Sequence, residues 1–486
     1  MSAAREPLQR IAVAGAGQVG VLAAIGLKKA LPRAEIVVVN LTPDPGALAD
    51  RAATALPFTN ALHDRLGIAE HEIVARAQGS HRLITRYLGW SDEDIAGRAG
   101  GAAPYGAALD PALRTRFAQE WGGGPRNAAG GLPVGSLAEV LAEAGRFAAA
   151  PDGEPTPLSG VEYGLRWNPA SYHALLIEQA QRLGIGHARG EITGLEPDGA
   201  GGVAALSLGA AGRLAADLYV DCTGPSARLL SALPQFAIED WAVELPLRRL
   251  LLARPQPGML ALEDRFALRP EGWRAELAGR DGLQVTLGVA DGIAEEAALR
   301  ALGAPPLAGF RLDPSRARAP WLANVVALGD AAARFEPLAF LNLDLAHRQL
   351  DLLLELLPGR DIEPLERAEY NRRSVLMMDA VRDTLAAHYA APAARRVFGL
   401  PILSPDLAAA LDQFGRRGRL PFREESALRG EEFQALLAAL GHPQGTSPQV
   451  QAQAAGAAAD GRAERFRREA EAALAFAPPY AQFMAR

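Results

Sequence analysis

The chain has 486 residues, 49% hydrophobic and 22% charged, with a formal net charge of −6. That length suits one large or two to three ordinary domains with ample core, and a mildly acidic surface excludes nucleic acid as an expected partner. One cysteine, Cys222, excludes an intrachain disulfide and a cysteine-based metal cluster, and no metal-ligand spacing appears elsewhere.

Near the start, "RIAVAGAGQVGVLAAIGLKKALP" reads as a strand, a tight glycine turn and a helix. Gly15, Gly17 and Gly20 take the Gly-x-Gly-x-x-Gly spacing. The first allows the turn, the second lets backbone approach a pyrophosphate, and the third lets helix and strand pack closely. The helix N-terminus then offers free N–H groups and partial positive charge. The next strand, "AEIVVVN", ends on Asn40, where a dinucleotide site usually carries Asp or Glu for the ribose hydroxyls. A neutral amide makes a weaker partner there.

Gly/Pro-rich stretches between about 97 and 160 ("AGGAAPYGAALDPAL", "WGGGPRNAAGGLPVG", "APDGEPTPLSG") are expected as lid loops. "EITGLEPDGAGGVAALSLGAAGRL" reads as a β-meander. It leads to a second strand-to-turn, "LYVDCTGPSARLL", with Gly224 at its bend. Strand-like runs over about 236–318 are expected to form a sheet covering the substrate. In "VVALGDAAARFEPLAFLN", an apolar strand breaks at Gly329-Asp330, and a helix is expected near Pro337. From about 386 the pattern is helical.

The order of these three turns resembles FAD-dependent monooxygenases of the aromatic-hydroxylase type. In detail it is similar to the flavin-dependent tryptophan halogenases. "LYVDCTGPSARLL" is similar to that family's second flavin turn, "FTNALHDRLGIAEHEIVARAQGSHRLITRYLGW" to its linking segment, and "APWLANVVALGDAAARFEPL" to its third motif. The resemblance implies an α/β fold: a Rossmann-like, glutathione-reductase-type FAD domain, a β-sheet substrate domain and a helical C-terminal region. The expected core spans 1–385 and the helical region 386–486. FAD would lie against Gly15, Gly17, Gly20, Asn40, Gly224, Gly329, Asp330 and Pro337. The resemblance also implies a separate flavin reductase, in line with the lack of a second nucleotide fingerprint.

The family's halogenating residues are replaced. Its substrate-side lysine falls on Arg82, and its Glu-Ser pair on Ala339 and Phe340. Its Trp-x-Trp segment is echoed by "GWRAEL", which keeps Trp273 and has Ala275 in place of the second Trp. Its Gly-Val-Gly-Glu-Ala-Thr strap corresponds to "ADRAATALP", without the glycines or the glutamate. A lysine carrying halogen on nitrogen must be neutral part of the time. Arginine, with a pKa above about 12, stays charged.

What remains is an apolar pocket walled by Trp90, Trp273 and Phe340, with Arg82 as a clamp for a substrate carboxylate. Each tryptophan has an ordinary reading as core, Arg82 has one as a salt-bridge residue, and His81 and His347 read as structural. Three functions stay open, in this order. The first is a non-halogenating FAD monooxygenase acting on an aromatic or peptide-borne group of a small-molecule or peptide substrate. The second is a flavin-binding pseudoenzyme or regulatory partner, and the third a halogenase with a rearranged site. No run of about eighteen apolar residues marks a membrane span and the N-terminus has no long apolar leader, so cytoplasm is expected. A homodimer stays open.

Overall fold

The structure, a computed structural model, describes residues 6–91, 100–105, 136–149, 154–426, 428–445, 448 and 458–485. Its first layer is a six-stranded sheet in the order Trp321–Leu322, Val325–Ala327, Leu218–Asp221, Arg10–Ala14, Glu35–Asn40, Gly186–Arg189. All neighbours are parallel except the first pair. Parallel strands are covered on both faces, which explains why Ile11–Ala14 and Ile36–Val39 are unbroken apolar runs rather than alternating ones. Helices Gln18–Ala30 and Pro169–Arg182 pack beside this sheet and against each other. The meander forms as read from the sequence, with antiparallel strands Gly194–Pro197, Val203–Ser207 and Arg213–Ala215.

A seven-stranded sheet forms the second layer. Its order is Pro306–Arg311, Arg249–Ala253, Gly282–Val289, Gly272–Gly279, Glu263–Arg269, Ile84–Leu88, Gly101–Pro104. The strand Gly272–Gly279 shows the period of two: Trp273, Ala275 and Leu277 are buried, while Arg274 and Glu276 are partly exposed. Helices Leu341–Glu355 and Pro364–Tyr389 follow, then Pro405–Arg417, Gly430–Ala439 and Ala458–Phe476. The side chains of Phe466, Ala470 and Tyr480 join Leu137, Leu141 and Phe147 in a satellite core. This brings the C-terminal helices back against Leu83, Ile84 and Leu262.

Three expectations need correction. Gly101–Pro104, read as lid, is the edge strand of the second sheet, while "WGGGPRNAAGGLPVG" lies outside the described residues. The boundary at 386 falls inside helix Pro364–Tyr389. The helix expected near Pro337 begins at Leu341, because Ala339 (φ 57°) and Phe340 (φ 60°) are both left-handed and interrupt it. Among the described residues no helix is long and apolar enough to cross a membrane.

Candidate active site: two ends of one cleft

The parallel sheet brings the three turns to one edge. Cys222 N–H donates to Ala14 O at 2.8 Å and Leu328 N–H to Asp221 O at 3.0 Å, so the strand ends stand side by side. Gly15 has φ +105°, and a Cβ there would meet Cys222 O at 2.2 Å. A Cβ on Gly20 would meet Gly15 O at 2.0 Å. These two glycines are therefore fixed by close backbone packing. In the second turn, the buried Asp221 carboxylate accepts from the backbone N–H of Thr223, Leu229 and Leu230. Gly224 bends there with φ +76°. In the third turn, Gly329 N–H donates to Gln349 Oε1 at 2.8 Å.

The second glycine of the fingerprint is different. A Cβ on Gly17 would lie 2.0 Å from Asp50 Oδ2, so the space kept clear for a pyrophosphate holds a carboxylate of the chain itself. Asp50 sits on the one-turn helix Leu48–Arg51 and accepts the N–H of Val19 at 3.0 Å. Gln18 Nε2 clamps the same segment, donating to Ala49 O at 2.7 Å and Ala52 O at 2.9 Å. Ala49 N–H donates to Asp330 Oδ2 at 2.7 Å. Burial pushes the Asp50 carboxyl up to about 6, against the Val19 bond and the nearby His173 and Arg51. Burial also pushes Asp330 up to about 8. Hydrogen bonds from Ala49 and Asn342 oppose that rise, and the neighbouring Asp50 adds to it.

Beside this cluster a shallow hollow opens to solvent, bounded by Gly15, Thr42, Asp44, Asp50, Thr223 and Arg228. Asn40 ends its strand exposed, and Leu41 and Thr42 line the hollow instead. The backbone of the three turns suits a dinucleotide. Asp50 does not, since an anionic diphosphate and a carboxylate cannot share the N–H groups of one helix start. As the chain stands, the site does not fit a bound FAD.

The residues around Arg82 are packed in another way. Arg82 is buried and ion-paired with the buried Asp264. Its guanidinium also donates to Tyr105 Oη at 2.6 Å and Ala55 O at 2.8 Å, and lies 4.4 Å from the Tyr105 ring centre and 4.8 Å from that of Phe340. A bidentate clamp needs a free fork. Of this fork only Nε lacks a partner. Phe266 links the aromatic candidates: its ring is 5.0 Å from Phe340 and 6.0 Å from Trp273, and its carbonyl accepts from Trp90 Nε1 at 3.0 Å. Trp90 and Trp273 are fully buried.

Sequence reasoning missed Glu336, directly before Pro337. It is fully buried and accepts from Tyr389 Oη at 2.6 Å, while Tyr389 Oη accepts from Trp273 Nε1 at 3.2 Å. Its Oε2 has no hydrogen-bond partner, and burial pushes its carboxyl up. His81 is held by Glu70 and Tyr480, and His347 Nδ1 lies 2.8 Å from Thr59 Oγ1, both structural placements. The sequence holds two lysines, Lys28 and Lys29. Both lie in the last turn of the first helix, where Lys28 Nζ donates to Pro32 O at 3.0 Å and Ala34 O at 2.9 Å.

Against known proteins, the tryptophan halogenase family model matches residues 10–455. Tryptophan 7-halogenase KtzQ of Kutzneria sp. (strain 744) is 25% identical over 409 residues, covering 79% of this chain and 76% of that protein. Among solved structures, Xcc4156, a flavin-dependent halogenase from Xanthomonas campestris, superposes with a TM-score of 0.86 at 23% identity. The match covers 99% of this chain and 98% of that one. BrvH, a flavin-dependent halogenase from Brevundimonas sp. BAL3, gives 0.84 at 22% identity, covering 98% and 99%. At these identities the structural likeness shows the α/β fold.

Proposed function

Because this chain belongs to the tryptophan halogenase family, whose members are flavin-dependent, we propose that it is a flavin-dependent oxidoreductase that does not halogenate. The observation that carries this reading is Arg82. At the family's lysine position stands an arginine that is buried, ion-paired and stacked between two rings. A lysine relay works by losing a proton, and arginine does not lose one in a protein. The chain's two lysines both lie in the last turn of the first helix, where Lys28 is held by Pro32 and Ala34. Ala339 and Phe340 supply no carboxylate to take a proton from a substituted ring.

Bound reduced FAD would supply oxygen activation. The chain's own residues would then bind and exclude water, and the apolar wall of Phe266, Phe340 and Trp273 serves both roles. That matches oxygenation of an aromatic or peptide-borne group, with a separate reductase providing reduced flavin. The reading requires the Leu48–Arg51 segment to move. A second reading, halogenation by a rearranged site, is favoured by the names of the relatives and by Glu336, a buried carboxyl three positions before Ala339 with one oxygen free.

The two are separated by supplying FAD, a flavin reductase, oxygen and bromide together with tryptophan or indole. Mass spectrometry is expected to find no brominated product. Bromotryptophan or bromoindole would establish the second reading instead.

A further inference from the structure

Asp50 occupies more than the edge of the dinucleotide site. The segment that carries it bridges the first turn, through Val19 and Gln18, and the third turn, through Asp330. Those are the two points that a bound dinucleotide would itself connect. We propose that Leu48–Arg51 is a built-in plug: the Asp50 carboxyl group and the FAD diphosphate compete for the Val19 N–H at the start of the first helix, and the cofactor enters only when this segment swings out. The proposal rests on the flavin reading above and adds how occupancy of that site is controlled.

Three observations support movement. The segment is a single helical turn, too short to hold itself, and its N-cap, Ala47, has no capping side chain. Pro45–Gly46 precedes it, and Ala52 after it is already extended. The plugged state also leaves defects. Gln18 Oε1 is buried without a hydrogen-bond partner, and the Asp50 carboxyl stands close enough to add to the raised proton affinity of the buried Asp330. These are features of an arrangement that can be exchanged for a better-matched anion.

The pH dependence has a definite sign. Plugged, Asp50 holds its proton up to about 6; swung out into water it would return to the ordinary value of 3.8. Plugging therefore binds a proton between these values, acid favours the plug, and FAD affinity rises with pH. From pH 5 to pH 7.5 the linkage allows about a tenfold gain. The groups that face Asp50 are His173 from helix Pro169–Arg182, Arg51 from its own helix, Asp330 from the third turn, Asp44 and Arg228 across the hollow and Cys222. They are common to wild type and variants, so the difference between proteins isolates Asp50.

The test is calorimetric titration of the full chain with FAD and with riboflavin, which lacks the diphosphate, at pH 5 and pH 7.5. Asp50→Ala is expected to bind FAD at least tenfold tighter than wild type at pH 5 and to lose the pH dependence, with riboflavin affinity unchanged. Asp50→Asn keeps the shape, guards against a folding defect and is expected to flatten the pH profile. If wild type and Asp50→Ala bind FAD equally, or if acid strengthens wild-type binding, the plug is overturned and the flavin reading stands. An equal gain for riboflavin also overturns it, since the competition would not involve the diphosphate. If none of the three proteins binds FAD, the flavin reading falls and the plug with it.

Discussion

The two ends of the cleft are both filled by the chain's own side chains, yet in opposite ways. At the dinucleotide end one carboxylate is inserted from a one-turn helix and leaves defects behind, an unpartnered Gln18 oxygen and two carboxyls pushed up to about 6 and about 8. Around Arg82, by contrast, the charge is met by a buried counter-ion, Asp264, with further bonds to Tyr105 and Ala55 under the Phe340 ring, and only Nε is left without a partner. The first arrangement is built to be undone and the second is not.

The largest effect should come from unsealing the substrate end. Asp264→Ala leaves the Arg82 guanidinium buried without its counter-ion, which typically costs about 3–5 kcal/mol. Replacing both together, Arg82→Met with Asp264→Leu, is expected to restore most of that, because an apolar pair of similar volume needs no compensation. Urea unfolding of the three proteins measures both. A cost below about 1 kcal/mol for Asp264→Ala would mean that solvent reaches Arg82, and the contrast between the ends would fail.

Next in size is the pH response of the dinucleotide end. Asp330 has its folded value raised to about 8 from an ordinary 3.8. Its contribution to stability is therefore fully present below about pH 4 and is lost as pH rises through 8. Between pH 6 and pH 9 the loss is on the order of 2 kcal/mol. Asp330→Asn should flatten that part of the profile, so thermal melts of the two proteins should lie closest near pH 4 and move further apart from pH 6 to pH 9. Parallel profiles would show that water already reaches this carboxyl, and the dinucleotide end would then be open rather than plugged.

Much of this molecule can be read locally, and the failures are tertiary. The glycine turns, the meander and the strand ending at Gly329 carry their geometry in consecutive residues, through positive φ and alternation. Asp264 lies 182 residues from Arg82, and no spacing rule joins them. The strap segment differs, because its signal is local. Replacing its glycines with Ala49 and Arg51 substitutes good helix formers for flexible residues, so the segment winds into a turn that aims Asp50 at Gly17. The shift of the helix start from Pro337 to Leu341 needed backbone angles that Ala339 and Phe340 do not advertise.

Those angles give the smallest expected effect. Ala339 adopts φ 57°, ψ 11°, a left-handed conformation that disfavours a Cβ by roughly 1 kcal/mol or more, while glycine adopts it freely. Ala339→Gly should therefore stabilise the protein by a few tenths to about 1 kcal/mol, the relief of strain being partly offset by the greater freedom of glycine in the unfolded chain. Chemical denaturation at neutral pH resolves a change of that size. A loss of stability would mean that the Ala339 methyl contributes more by packing than its backbone loses by strain. The sealed end would then be held by side-chain contacts right up to the turn. A gain would place a residual strain there, in the same few residues where the family's Glu-Ser pair has been replaced.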